Sequence, residues 1–180
     1  TELRVKNFEV KDNKIKFNDI EIDIKPMIGV IGTAHDEQNV RTGKSFDNGG
    51  NMDSNVIVKG STVYFPVCVD GALLALGDLH ALMGDGEISG TGIEIPGIVT
   101  IKVSIIKDFY LKYPVTETSD AWYVNTFGFS ATNAIIKGYE ELQRLISLAY
   151  GWDYTDACLY MSLQAIVSSN QACLTYEIYE

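Results

Sequence analysis

Basic residues are scarce in this chain of 180 residues: 14 Lys and Arg stand against 24 Asp and Glu, a formal charge of −10. The few cations are scattered singly, so no surface offers counterion release from nucleic acid, and anionic membranes would repel the chain. Neither nucleic acid nor a membrane is an expected partner. Long apolar runs are also missing, and none approaches the roughly 20 residues that span a bilayer. Cysteine is rare. Cys68, Cys158 and Cys173 form no Cys-x-x-Cys pair and are odd in number, which argues against a disulfide framework and for a reducing cytoplasm. The chain opens at Thr1 without a basic n-region or an apolar h-region, so no secretory signal is legible. Only two histidines occur, His35 and His80, which confines imidazole chemistry to two places.

What is present is 46% hydrophobic residues, enough for one well-buried core or two small ones sharing an interface. From Thr1 to Lys25 apolar and polar residues alternate around Asp12-Asn13, which predicts an opening hairpin and a third strand. Met27 to Ile31 predicts a buried strand, and Thr33 to Asn55 a long polar, glycine-rich loop. Strands are expected over Ser61–Val69, Ala72–Leu76, Glu87–Ile95, Ile98–Ile106, Tyr110–Val115 and Ala121–Phe129. Helical spacing then predicts a helix over Ala131–Tyr150 stopped by Gly151, and a second, capped by Thr155 or Asp156, running to about Ser169. Ala172–Ile178 reads as a terminal strand. The fold class is α+β: a β-rich, barrel- or sandwich-like part over 1–107 carrying the site motifs, and a smaller α+β part over 108–180 with two helices, a shared core being allowed.

Three segments could carry chemistry. Gly77-Asp-Leu-His-Ala-Leu-Met-Gly-Asp-Gly-Glu87 offers Asp78, His80, Asp85 and Glu87. Asp78 and His80 are two apart, so on a strand both leave one face, and imidazole with carboxylate is a common zinc ligand set. The same residues also suit an ordinary Asp-Gly turn and a hydrogen-bonded structural histidine. Asn48-Gly-Gly-Asn-Met-Asp53 combines glycines that permit close backbone approach with Asn51 and Asp53, and equally suits a turn between strands. Gly29-Val-Ile-Gly-Thr-Ala-His35-Asp36-Glu37 runs a strand into a loop and lacks a dinucleotide fingerprint; His35 there reads most simply as a solvated loop residue. No Gly-x-Ser-x-Gly elbow or Ser-x-x-Lys occurs, which disfavours serine hydrolase layouts. Cys68, in an expected buried strand, reads as an inert core thiol.

Taken in order, Gly29-Val-Ile-Gly32, Gly49-Gly-Asn-Met-Asp53, Gly60-Ser-Thr-Val-Tyr-Phe-Pro-Val67 and Gly71 through Glu87 closely resemble successive motifs of the acetamidase/formamidase family. The likeness continues more loosely through Gly90-Thr-Gly-Ile-Glu94 to about Thr175. It implies hydrolysis of the C–N bond of a small aliphatic amide to ammonia and a carboxylate, in a cytoplasmic homo-oligomer. The family signatures map onto Asp53, Asp78, His80, Asp85 and Glu87. On that basis Asp53, Asp78 and His80 are candidate ligands of a divalent metal, zinc first and calcium second, with His35 an additional candidate. Glu87 is the candidate general base, Asp85 a second catalytic candidate, and Gly49, Gly50 and Asn51 would contact substrate.

The resemblance also implies an N-terminal region that this chain does not contain. Asn48 stands where the family commonly has His, Thr33-Ala34-His35 replaces a proline-containing pattern, and Met83 replaces Gln. Two other readings follow: a non-catalytic protein holding a metal or small ligand on the same scaffold, and hydrolysis of a cyclic amide or ureide.

Overall fold

Strict alternation builds the central strand. The computed structural model describes residues 2–36 and 39–171, and in it β3 (Met27–Gly32) buries every second residue, Met27, Gly29 and Ile31. Before it, β1 (Lys14–Phe17) and β2 (Ile20–Asp23) form a two-stranded antiparallel hairpin. Asp12 and Asn13 make the expected turn, both with positive φ (52° and 60°). Only an isolated bridge, Lys11 to Lys14, flanks it, so 2–10 forms no strand and the real hairpin turns one step later, at Asn18-Asp19.

The stretch expected as one long loop contains two short strands, β4 (Ser45–Phe46) and β5 (Gly49–Asn51). They join β3 and β7 (Ala75–His80) in an antiparallel sheet of order β4-β5-β3-β7. The strand expected at Ala72–Leu76 is thus displaced toward the C-terminus. Ala72 and Leu73 take left-handed φ values of 53° and 51° and turn the chain, and pairing with β3 then recruits Ala75 through His80. A third sheet joins β6 (Thr62–Tyr64), β8 (Val115–Glu117) and β9 (Trp122–Val124).

All the pairings between named strands are antiparallel, as an α+β sandwich-like class requires, and no sheet closes into a barrel among the described residues. Ile31, Met52 and Ile57 form a buried core, with Ile28, Val63, Phe65, Leu74 and Leu76 packed on it.

Two expected strands do not form, and the one expected at Tyr110–Val115 is displaced into the turn expected after it, where β8 starts only at Val115. Between 87 and 95 only Glu94 bridges, to His80, and 98–106 has no ladder despite its β-branched alternation. A strand needs a partner for its N–H and C=O groups, and none lies along it among the described residues.

The helices follow the sequence closely. α1 (Ala131–Tyr150) is capped by Ser130, whose side chain accepts from Asn133 N at 3.1 Å, and ends at Gly151 with φ 67°. α2 (Tyr154–Gln164) is capped two to three residues before the expected cap, by Asp153, which accepts from Asp156 N at 2.9 Å, and it stops well short of Ser169. The terminal strand expected at Ala172–Ile178 lies outside the described residues.

Candidate metal centre

His80 ends β7 opposite Met27 of β3, with its ring 1% exposed. Gly92 lies flat against that ring: a Cβ there would stand 2.8 Å from the imidazole Cγ and Nδ1. The two ring nitrogens face different carboxylates. Nδ1 points toward Asp53 Oδ1 at 3.8 Å; Nε2 lies 3.2 Å from Glu94 Oε1 and 3.6 Å from Asp78 Oδ1.

Asp53 arrives from β5. The glycines before it serve the backbone path: Gly49 and Gly50 have φ of 94° and 104°, and a Cβ on either would meet a carbonyl oxygen at 2.6 Å. β5 can therefore lie close between β4 and β3, and Asp53 N then donates to Gly29 O at 3.1 Å. Across the sheet, Gly29 faces both carboxylates. A Cβ on Gly29 would fall 2.5 Å from Asp53 Oδ1 and 2.9 Å from Asp78 Oδ2, so only glycine leaves room for the two side chains to converge. Glu87 comes from the Gly84–Glu87 turn, closed by Glu87 N to Gly84 O at 3.2 Å.

Ligand atoms of Asp53, His80 and Glu87, all buried, lie within 4.8 Å of one another, and Asp78, His80 and Glu94 form a second, more exposed group sharing the same histidine. Asp53 Oδ1 and His80 Nδ1 are buried without a hydrogen-bond partner. Unpaired buried polar atoms are costly, and a cation between these two would give each one a partner. The donor set, one imidazole with carboxylates, suits zinc, and the residues therefore fit a divalent metal.

Electrostatics agree with an anion-rich pocket. Burial, followed by repulsion from Glu87, pushes the Asp53 carboxyl up to about 6, with His80 pulling the other way. The backbone is also unusual here: Asp53, Asp78 and Glu87 all have positive φ (43°, 57° and 42°). Left-handed non-glycine residues are uncommon and persist where surrounding structure holds them, often at functional sites.

The sequence-derived candidates divide accordingly. Asp53, Asp78, His80 and Glu87 come together. Asp85 does not: it is exposed, accepts from Asn55 Nδ2 at 2.7 Å and belongs to neither group. His35 pairs with Asp36 at 3.3 Å and is likewise outside both. Asn51 keeps its amide oxygen buried and without a partner. Cys68 is exposed, against the expectation of a core thiol, because β6 ends at Tyr64.

Two further residues were not singled out by spacing. Gln171 donates through Nε2 to Asp53 Oδ2, and lies 3.3 Å from Glu87 Oε2. Glu94 reaches His80 through the isolated bridge between them. Gln171 is 118 residues from Asp53, beyond any local pattern. Glu94 falls in the expected strand Glu87–Ile95 and in the looser likeness Gly90-Thr-Gly-Ile-Glu94, but no local spacing ties it to His80.

Fold and site together define a β-rich α+β scaffold with a buried carboxylate–histidine centre. The model of the Acetamidase/Formamidase family matches residues 25–165. The chain belongs to the acetamidase/formamidase family. It is 48% identical over 79 residues to a formamidase from Methylophilus methylotrophus, covering 43% of this chain and 19% of that protein. A crystal structure of an acetamidase from Bacillus halodurans superposes with TM-score 0.88 at 34% identity, over 91% of this chain and 56% of the other. An acetamidase structure from Yersinia enterocolitica gives TM-score 0.88 at 29% identity, over 92% and 50%. The chain thus spans about half the length of these solved relatives and less of the curated one.

Proposed function

We infer that the site hydrolyses the C–N bond of a small aliphatic amide, of the formamide or acetamide kind, to ammonia and a carboxylate. The observation that carries this reading is the meeting of Asp53, His80 and Glu87 in one buried cluster with two unpaired ligand atoms. Names borne by the relatives, formamidase and acetamidase, supply the substrate class. Asp53 and His80 would hold a divalent cation, with Asp78 close by on the other side of the imidazole. Zinc is favoured over calcium because calcium prefers an all-oxygen shell. Such an ion, when bound, polarises the amide carbonyl and acidifies water.

The remaining chemistry falls to the chain. Glu87 is buried beside Gln171, so its carboxylate is oriented and shielded, as a general base must be. It would take a proton from the attacking water and return it to the departing amine. Gln171 holds Asp53 and Glu87 apart by donating between them, which limits their mutual repulsion. Asn51, with its unpartnered amide oxygen, is the group of the glycine-rich segment suited to accept a substrate N–H, while Gly49 and Gly50 act by placing it. The cellular setting we infer is cytoplasmic; among the described residues no helix is long and apolar enough to cross a membrane.

The test is metal analysis followed by ammonia release. Purified chain should take up about one equivalent of zinc and release ammonia from formamide or acetamide. His80→Ala should abolish uptake, and Glu87→Gln should abolish release. Zinc-replete protein that releases no ammonia across a panel of small amides would overturn turnover. Binding without turnover is the second reading, and Asn48 favours it: it stands where the family commonly has His, its amide nitrogen donates to Thr33 O, and it brings no imidazole.

A further inference from the structure

A neutral imidazole can offer a metal only one nitrogen, and the other must keep its proton. Which nitrogen does which is decided by the partner of the protonated one. In this protein the two faces of His80 are unequal. Nε2 lies 3.2 Å from Glu94 Oε1 as an ion-pair contact, whereas the carboxylate oxygen facing Nδ1, Asp53 Oδ1, stands at 3.8 Å and Nδ1 has no hydrogen-bond partner. Asp78 Oδ1 is the next acceptor on the Nε2 side, at 3.6 Å.

Glu94 is itself held in place. Its backbone bridges His80 in antiparallel fashion, and its Oε1 and Gly92 O both lie 3.1 Å from the Thr91 hydroxyl, which can donate to either. Ala81 N to Ile93 O at 2.7 Å and Ile95 N to Leu79 O at 3.0 Å clamp the segment on both sides of that bridge. Gly92 permits this approach, since a Cβ there would strike the ring. The segment is thus built around the imidazole although most of it is exposed.

We propose that Glu94 is a positioning residue: it accepts the Nε2 proton of His80 and thereby presents the Nδ1 lone pair to the buried pocket formed with Asp53 and Glu87. The cation then sits on the Nδ1 side, and the Asp78–Glu94 side is the supporting shell. This assignment rests on the metal reading given above for the choice of cation, but the tautomer itself is a property of the metal-free chain.

The experiment is nitrogen-15 NMR of the imidazoles in the metal-free full chain at about pH 8, above the ordinary histidine pKa, with His35→Gln used to assign the two rings. Wild type should show His80 protonated at Nε2. Glu94→Leu should move His80 toward the Nδ1-protonated form, which can donate to Asp53, and should weaken zinc binding by roughly 10- to 100-fold. Glu94→Gln keeps an acceptor oxygen and should restore the wild-type tautomer and most of the affinity, which loss of a merely structural contact would not require. A His80 protonated at Nδ1 in wild type, or a tautomer and zinc affinity unchanged in Glu94→Leu, overturns the proposal. If wild type binds no zinc while Glu94 still governs the tautomer, the metal reading falls and the assignment of Glu94 stands.

Discussion

Asp53 carries the strongest electrostatic consequence of the site. Its carboxyl titrates near 3.8 when unfolded and near 6 when buried beside Glu87. The folded state therefore holds the proton more tightly. Stability of the metal-free chain should fall as pH rises from about 4 to about 6 and level off above, by at most on the order of 3 kcal/mol. Zinc affinity should run the opposite way, rising through the same window as the ligand loses its proton. Urea unfolding across pH, with and without zinc, checks both slopes; parallel slopes would contradict the assignment. Asp78 offers a second test. Its φ of 57° suits glycine better than aspartate, so Asp78→Gly should unfold at higher temperature, by about 1 kcal/mol of added stability. The same change removes a carboxylate beside His80 and should weaken zinc binding. Opposite signs in thermal melting and titration calorimetry are the expected outcome.

At the scale of elements, an ion pair within α1, Glu141 with Arg144, holds the helix to segment 110–112, since Glu141 accepts from Lys112 N and Arg144 donates to Tyr110 O. Glu141 is fully buried and receives Arg144 Nε at 2.8 Å, Arg144 Nη2 at 2.6 Å and Lys112 N at 3.1 Å. Burial raises its pKa, but the bonds from Arg144 and Lys112 outweigh it, and the carboxyl is held below its ordinary value. Its stabilisation is thus present above the usual carboxylate range and lost as pH falls through the depressed value. Arg144→Met leaves a buried carboxylate uncompensated and should cost about 3–5 kcal/mol, whereas the double change Glu141→Leu with Arg144→Met should recover much of it. Denaturant midpoints of the three variants decide the point.

At the scale of the whole molecule, the stretch 98–106, without a ladder partner among the described residues, dominates. Ile98, Val103, Ile105 and Ile106 are well exposed beside a trough lined by Val63, Phe65 and Leu145. Exposed apolar patches of this kind mark association surfaces, and an unpaired β-patterned segment invites a strand from another chain. The expected occupant is a second copy. Sedimentation should give a species above the 19.9 kDa monomer, shifted toward monomer by Ile105→Lys with Val103→Lys. A monomer at all concentrations would contradict this.

The order of glycines and acids around one histidine was legible in the sequence; the fold gathers Asp53 and Glu87 in one group with His80, and Asp78 in a second group sharing the same ring. Helix α1 was legible for the same local reason, apolar spacing ended by Gly151. Strands were not. An isolated β-patterned run has no hydrogen bonds of its own, so whether 98–106 or Ala75–His80 becomes a strand depends on a partner far away in the chain, and among the described residues only the second has one, in β3. Tertiary structure alone placed Glu94 and Gln171 on the site and sent Asp85 to the surface. What the sequence determined by itself was which groups are present and which turns are permitted. Which nitrogen of His80 faces which carboxylate was decided only when β3, β5 and β7 paired, because register sets that distance and local pattern does not.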